Sequence, residues 1–167
     1  ERYIPHIAQA LAETKDAERL YLAGMHWPDA RFNPVIVQAL AETRNAEWLY
    51  LAGRNWPDRF SLVITQTLIE TRDALWLFFA GLRWPDERYT PQIAQALAET
   101  KNAEYLYCAG RYWSDERYTD DILQALIRTG DQNYIGLAVR DWLAERISDD
   151  AYSMAQAKAS RKACSLS

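Results

Sequence analysis

The side chains able to do acid, base, nucleophilic or metal chemistry are few and scattered. The two histidines, His6 and His26, occupy related but different places in a repeating pattern and have no paired ligand. A metal centre or a His-based general base therefore has little material. The two cysteines, Cys108 and Cys164, show no Cys-x-x-Cys spacing and read as free thiols of a reducing compartment. Carboxylates pair at Asp115-Glu116, Asp120-Asp121 and Asp149-Asp150, each at an expected helix start, where acids favour the helix dipole. Glycines fall singly inside expected helices, which builds no phosphate-cradling loop. Catalysis, a metal centre and a cofactor are accordingly not expected.

Other side chains point to recognition. Arg19, Trp48, Trp76, Tyr105 and Tyr134 recur at one place of the pattern, and His26, Asn55, Arg83, Tyr112 and Asp141 at a second. A neighbouring column holds Met25, Arg54, Leu82, Arg111 and Arg140. Trp, Tyr and Arg are the types enriched at interface hot spots. The expected binding residues are Trp48, Trp76, Tyr105, Tyr134, Arg54, Arg83, Arg111, Arg140, Asn55 and Tyr112. A protein or peptide partner fits them first. A single-stranded nucleic acid is the alternative, with the aromatics stacking bases and the arginines tracking phosphates. Lateral packing of the aromatics against the next unit is the competing structural account.

The elements that must position these residues come from an internal repeat. Trp27, Trp56, Trp84, Trp113 and Trp142 are spaced 29, 28, 29 and 29 residues apart, and Arg2, Arg31, Arg59, Arg88 and Arg117 keep the same beat. A unit of this size cannot bury its own apolar face, so stacking on neighbours must complete the core. Thr90-Pro91 reads as a helix start, with Thr capping and Pro at the first position. Asn33-Pro34 repeats the device, while Ser61-Leu62 and Thr119-Asp120 keep the cap alone. A second start follows at Asp16, Asn45, Asp73, Asn102 and Asp131. Pro28, Pro57 and Pro85 forbid continuation after the tryptophans.

On a helical wheel Ile93, Ala96, Leu97 and Thr100 share the packed side of the first helix. Gln95 and Glu99 point away, in a place where Gln recurs in all five units (Gln9, Gln38, Gln66, Gln95, Gln124); a solvated outer face is the expectation. Leu106, Ala109, Gly110 and Trp113 form the buried stripe of the second helix, whose outward positions are taken as 19, 22 and 26 and their equivalents. Gly24, Gly53, Gly81 and Gly110 each cost roughly 1 kcal/mol against Ala in a helix, which calls for close approach of the paired helix or for a helix that stops there.

The expected architecture is all-α: a right-handed α-solenoid of about five two-helix repeats. Its units are about 1–29, 30–57, 58–86, 87–115 and 116–147, followed by a C-terminal capping helix and frayed tail at 148–167. Five units at helix-packing distance would extend roughly 40 Å. The last unit behaves as a cap, since Gly130-Asp131-Gln132-Asn133 replaces the usual junction and Gly136 and Val139 exchange character with their counterparts. The first unit opens at Glu1-Arg2-Tyr3 without a polar cap, which leaves self-association through that repeat, or a longer array, as an expectation. A net charge of −4 argues against a generic phosphate-backbone binder, though a local basic stripe remains compatible. No stretch approaches the roughly 18 apolar residues of a membrane span and no leader pattern opens the chain; a soluble, cytoplasmic protein is expected.

The segment Gln95-Ala96-Leu97-Ala98-Glu99-Thr100-Lys101-Asn102-Ala103 shows the repeated Ala-Leu-x-x-Thr-x-Asp/Asn-Ala core. Through it the chain resembles short HEAT-like α-solenoids, over residues 1 to about 142. The resemblance implies an interaction scaffold, the family holding protein-binding scaffolds, some nucleic-acid binders and a few lyases or glycosylases. No catalytic motif of these is matched.

Overall fold

The computed structural model describes residues 4–27, 33–56 and 62–143. These residues form ten α-helices and one π-helical turn, with no strand among them. Contacts divide the chain into two compact units, 1–89 and 90–167. The expected starts at Ser61 and Ser148, the prolines Pro28 and Pro57, and Cys164 lie outside the described residues.

The first unit holds three helix pairs: α1 (Ile4–Thr14) with α2 (Ala17–His26), α3 (Asn33–Thr43) with α4 (Ala46–Asn55), and α5 (Leu62–Thr71) with α6 (Ala74–Arg83). First helices pack on first helices, second on second, and α2 and α4 also pack on the first helix of the following pair. The second unit repeats this with α7 (Pro91–Thr100), α8 (Ala103–Tyr112), α9 (Asp120–Thr129) and α10 (Gln132–Ala138), the last running into a π-helical turn at Val139–Leu143.

The break inside each pair follows from three residues. In the third pair the Thr71 hydroxyl donates to the Leu68 carbonyl at 2.7 Å and accepts from the Asp73 N–H at 3.3 Å, and the Asp73 carboxylate accepts from the Trp76 N–H at 3.2 Å. The residue between must turn left-handed, and Lys15, Arg44, Arg72 and Lys101 have φ of 51 to 55°. That conformation strains a residue with a Cβ. In the last pair Gly130 takes the same place at φ 73°, where glycine removes the strain. The five expected starts at Asp16, Asn45, Asp73, Asn102 and Asp131 are all side-chain N-caps.

The first-helix starts differ from expectation. Thr90 and Thr119 precede α7 and α9, but neither side chain caps. Their carbonyls instead accept from the Ile93 and Ile122 N–H groups at 2.9 and 3.0 Å, and both hydroxyls are buried. With Pro91 at the first position, one open donor is removed in any case.

Trp56, Trp84, Trp113 and Trp142 are buried, whereas Trp27 is half-buried. The helices run on past the glycines to end at the tryptophans, so the glycines do not stop them. Close approach is the reason for glycine, yet the approaching group is an indole and not the paired helix. A Cβ on Gly24 would lie 2.1 Å from Cζ2 of Trp56, one on Gly53 2.1 Å from Cζ2 of Trp84, and one on Gly110 2.2 Å from Cζ2 of Trp142. The tryptophan of one pair thus fills the notch left by the glycine of the pair before it. Arg88, from the recurrent arginine series, donates to the Gly53 carbonyl beside that notch.

Candidate functional site

The lock between pairs decides which side of each second helix remains accessible. Leu49, Ala52, Gly53 and Trp56 face inward in α4 and are buried. Turning half a circle at 100° per residue leads to Glu47, Leu51 and Arg54: exposed, half-buried and exposed. The same places hold Glu18, Leu22 and Met25 in α2, all exposed, and Leu75, Phe79 and Leu82 in α6, all half-buried. Leu22 is 43% exposed and Met25 39%. In the first unit this gives an apolar row, Leu22, Leu51 and Phe79, running across three neighbouring helices. Glu18 and Glu47 stand at the N-terminal edge of the row; at its C-terminal edge come Met25, Arg54 and Leu82, with the exposed His26 and Arg83 one residue beyond, in the column of Asn55.

The aromatic column, one of the three places expected to face outward, lies on the flank, where lateral packing was the competing account. Trp48 sits with its ring centroid 5.2 Å from that of Tyr21 in the preceding second helix, and Trp76 lies 5.2 Å from Tyr50. Tyr134 meets Tyr107 at 5.9 Å in the second unit. Trp48, Trp76, Tyr105 and Tyr134 are half-buried. Asn55, also half-buried, donates from Nδ2 to the Tyr21 hydroxyl at 2.9 Å. Trp48, Trp76, Asn55 and Tyr134 thus join one pair to the next within their unit while keeping part of their surface open.

The arginines divide between the two units. Arg54 and Arg83 belong to the first-unit surface, both exposed. In the second unit Arg111 and Arg140 converge on one carboxylate. Arg140 Nε donates to Asp141 Oδ1 at 2.6 Å, while Arg111 Nη1 and the Tyr107 hydroxyl donate to Asp141 Oδ2 at 2.7 and 2.6 Å. Arg140 first, then Tyr107, hold the Asp141 carboxyl well below the usual carboxylate range. Burial and then the bond to Asp141 push the Tyr107 phenol up. Tyr112 is 55% exposed, with the Arg111 guanidinium 5.5 Å from its ring centre.

The opposite side, formed by the first helices, carries the glutamines. Gln9, Gln38 and Gln66 donate to Glu13, Glu42 and Glu70 one turn on, at 3.4, 3.2 and 3.4 Å. Arg44 pairs with Glu70 across α3 and α5 at 3.1 Å. Shallow clefts of about 310 to 380 Å³ lie between α1 and α3, α3 and α5, and α7 and α9, lined by Gln9, Gln38 and Gln95 with small and charged neighbours. Their side chains are spent largely on one another.

Cys108 occupies the outward place on α8; it is a free thiol pushed up by burial and then by Glu104, and is thus a poor nucleophile near neutrality. His6 and His26 are exposed, and no group of three or more His, Cys, Asp or Glu side chains gathers into a metal-binding cluster among the described residues. No helix among them is long and apolar enough to cross a membrane.

Position 22 and its equivalents stood among the expected outward places, but the candidate residues were drawn from the columns of Arg19, Met25 and His26, so the row of Leu22, Leu51 and Phe79 was not singled out. The signal was available: with Leu106, Ala109, Gly110 and Trp113 buried, the opposite side of that helix is Glu104, Cys108 and Arg111. No family model matches the chain, and neither the curated proteins nor the solved structures hold a match to it.

Proposed function

We propose that the chain is an α-solenoid of the short HEAT-like kind that acts as a non-catalytic scaffold, binding a segment of another protein along its second-helix face. The observation behind this reading is the apolar row of Leu22, Leu51 and Phe79, one side chain per helix, left partly open while the scaffold positions beneath are closed by the glycine and indole lock. Large apolar side chains aligned on a surface and rimmed by charge are typical of interaction sites. The half-open Trp48 and Trp76 add the aromatic anchors at which binding energy concentrates. A reducing intracellular location goes with the free thiol of Cys108.

The nucleic-acid alternative is less well served. Arg111 and Arg140 are drawn onto Asp141, which removes two of the four arginines that would track phosphates. Capture from native lysate with the wild-type chain and a Leu51→Glu/Phe79→Glu variant of unchanged circular dichroism tests the reading. Proteins retained by the first and lost by the second are expected. Equal capture by both, or a single-stranded oligonucleotide bound with a steep salt dependence, would overturn it. Light scattering over a concentration series checks self-assembly, the remaining alternative.

A further inference from the structure

We infer that the occupant of the second-helix face is an amphipathic helix lying across α2, α4 and α6, with one apolar side chain every seven residues and opposite charges on its two flanks. The inference rests on the reading of this face as a docking surface and adds the class of partner. Neighbouring packed helices stand about 8–10 Å apart, so the row of Leu22, Leu51 and Phe79 repeats at about that interval. A helix advances about 10.5 Å in seven residues, nearly two whole turns, and so returns the same face to each successive helix of the row. A β-strand covers the interval in about three residues of 3.3 Å. Three is odd, so its side chains would point alternately toward and away from successive members of the row.

Charge sets the flanks. Glu18 and Glu47 lie one turn before the row and Arg54 and Arg83 three and four residues after it, all exposed, while Met25, Leu75 and Leu82 hold the other places at its edges. A helix that lies between them meets carboxylates along one side and guanidinium groups along the other. It fits best with Lys or Arg on the first flank and Glu or Asp on the second. Because both flanks of a helix are reached from a single apolar stripe, one partner can satisfy both edges together. Such complementarity governs choice and on-rate more than raw affinity.

The test is a synthetic 21-residue peptide with leucines seven residues apart on an alanine-rich helix, Lys on one flank and Glu on the other, titrated against the full chain by fluorescence anisotropy and circular dichroism. Three control peptides share the assay. One has the same composition with leucines five residues apart, one carries a central proline, and one has Glu on both flanks. The parent peptide is expected to bind and to gain helical signal. Each control, and the parent peptide on the Leu51→Glu chain, is expected to bind about tenfold more weakly or worse. Equal binding of the proline or respaced peptide, binding without helical gain, or no binding of the parent would overturn the helical occupant. If native proteins are still captured and lost with Leu51→Glu/Phe79→Glu while the parent peptide fails, the docking face stands and only the helical occupant falls. If capture also fails, both readings fall.

Discussion

Replacing glycine by alanine in the middle of a helix ordinarily stabilises a protein by about 0.5–1 kcal/mol. In this fold the sign of that change depends on which glycine is replaced. A Cβ on Gly53 would stand 2.1, 2.5 and 2.7 Å from Cζ2, Cε2 and Cη2 of Trp84, against about 3.5–4.0 Å for carbons in contact. The indole would have to withdraw by more than 1 Å, yet Trp84 is buried and tied through Nε1 to the Tyr50 carbonyl at 3.0 Å. Overpacking of this kind costs about 1–3 kcal/mol, and outright loss of the indole contacts approaches the roughly 3–5 kcal/mol of a Trp truncation. After the helix-propensity gain, Gly53→Ala should destabilise by about 1–4 kcal/mol. Gly136, in α10, is the internal control: nothing lies within 4 Å of its added Cβ, so Gly136→Ala should stabilise by up to about 1 kcal/mol. Urea unfolding followed by circular dichroism reads both. A Gly53→Ala chain as stable as wild type, or more so, would refute the argument.

Lys101→Gly should raise stability by about 0.5–1 kcal/mol, because φ of 55° at Lys101 costs about 1–2 kcal/mol with a Cβ and the added chain entropy returns only part; thermal unfolding checks it. Trp84→Phe should cost about 1 kcal/mol more than Trp56→Phe in the same assay. The first loses the bond to the Tyr50 carbonyl, whereas the Trp56 Nε1 finds no acceptor among the described residues, and a net hydrogen bond is worth about that much. Asp141 has its folded value lowered from an unfolded value near 3.8. Its contribution is therefore complete above that value and is lost as pH falls toward the folded one. Melting temperature measured from pH 7 down to pH 3 should fall less steeply for Asp141→Asn than for wild type.

The parts of the fold legible in sequence were those written within one helix pair. Thr71, Arg72 and Asp73 announce a helix end, a left-handed residue and a new cap through bonds that span three residues at most. The burial of Trp56, Trp84, Trp113 and Trp142 followed from their recurrence on a helical stripe. Contacts between pairs were harder to read. Gly53 signals that some group comes close, but that this group is Trp84, 31 residues on, depends on the register in which pairs stack. The same register set Trp48 and Trp76 against Tyr21 and Tyr50, contacts that a wheel drawn for one helix does not show. Thr90 looked like a cap by type, and its hydroxyl is buried instead, a choice that one residue's preference does not reveal.

The account depends on the indole of one helix pair seating on the bare backbone of the pair before it, since that contact orients every outward row. A double-mutant cycle on Gly53→Ala and Trp84→Leu measures the contact directly. With the indole gone there is room for the methyl group, so the cost of Gly53→Ala should shrink or change sign in the Trp84→Leu background, giving a coupling of about 1–3 kcal/mol. Additive effects of the two substitutions would contradict it.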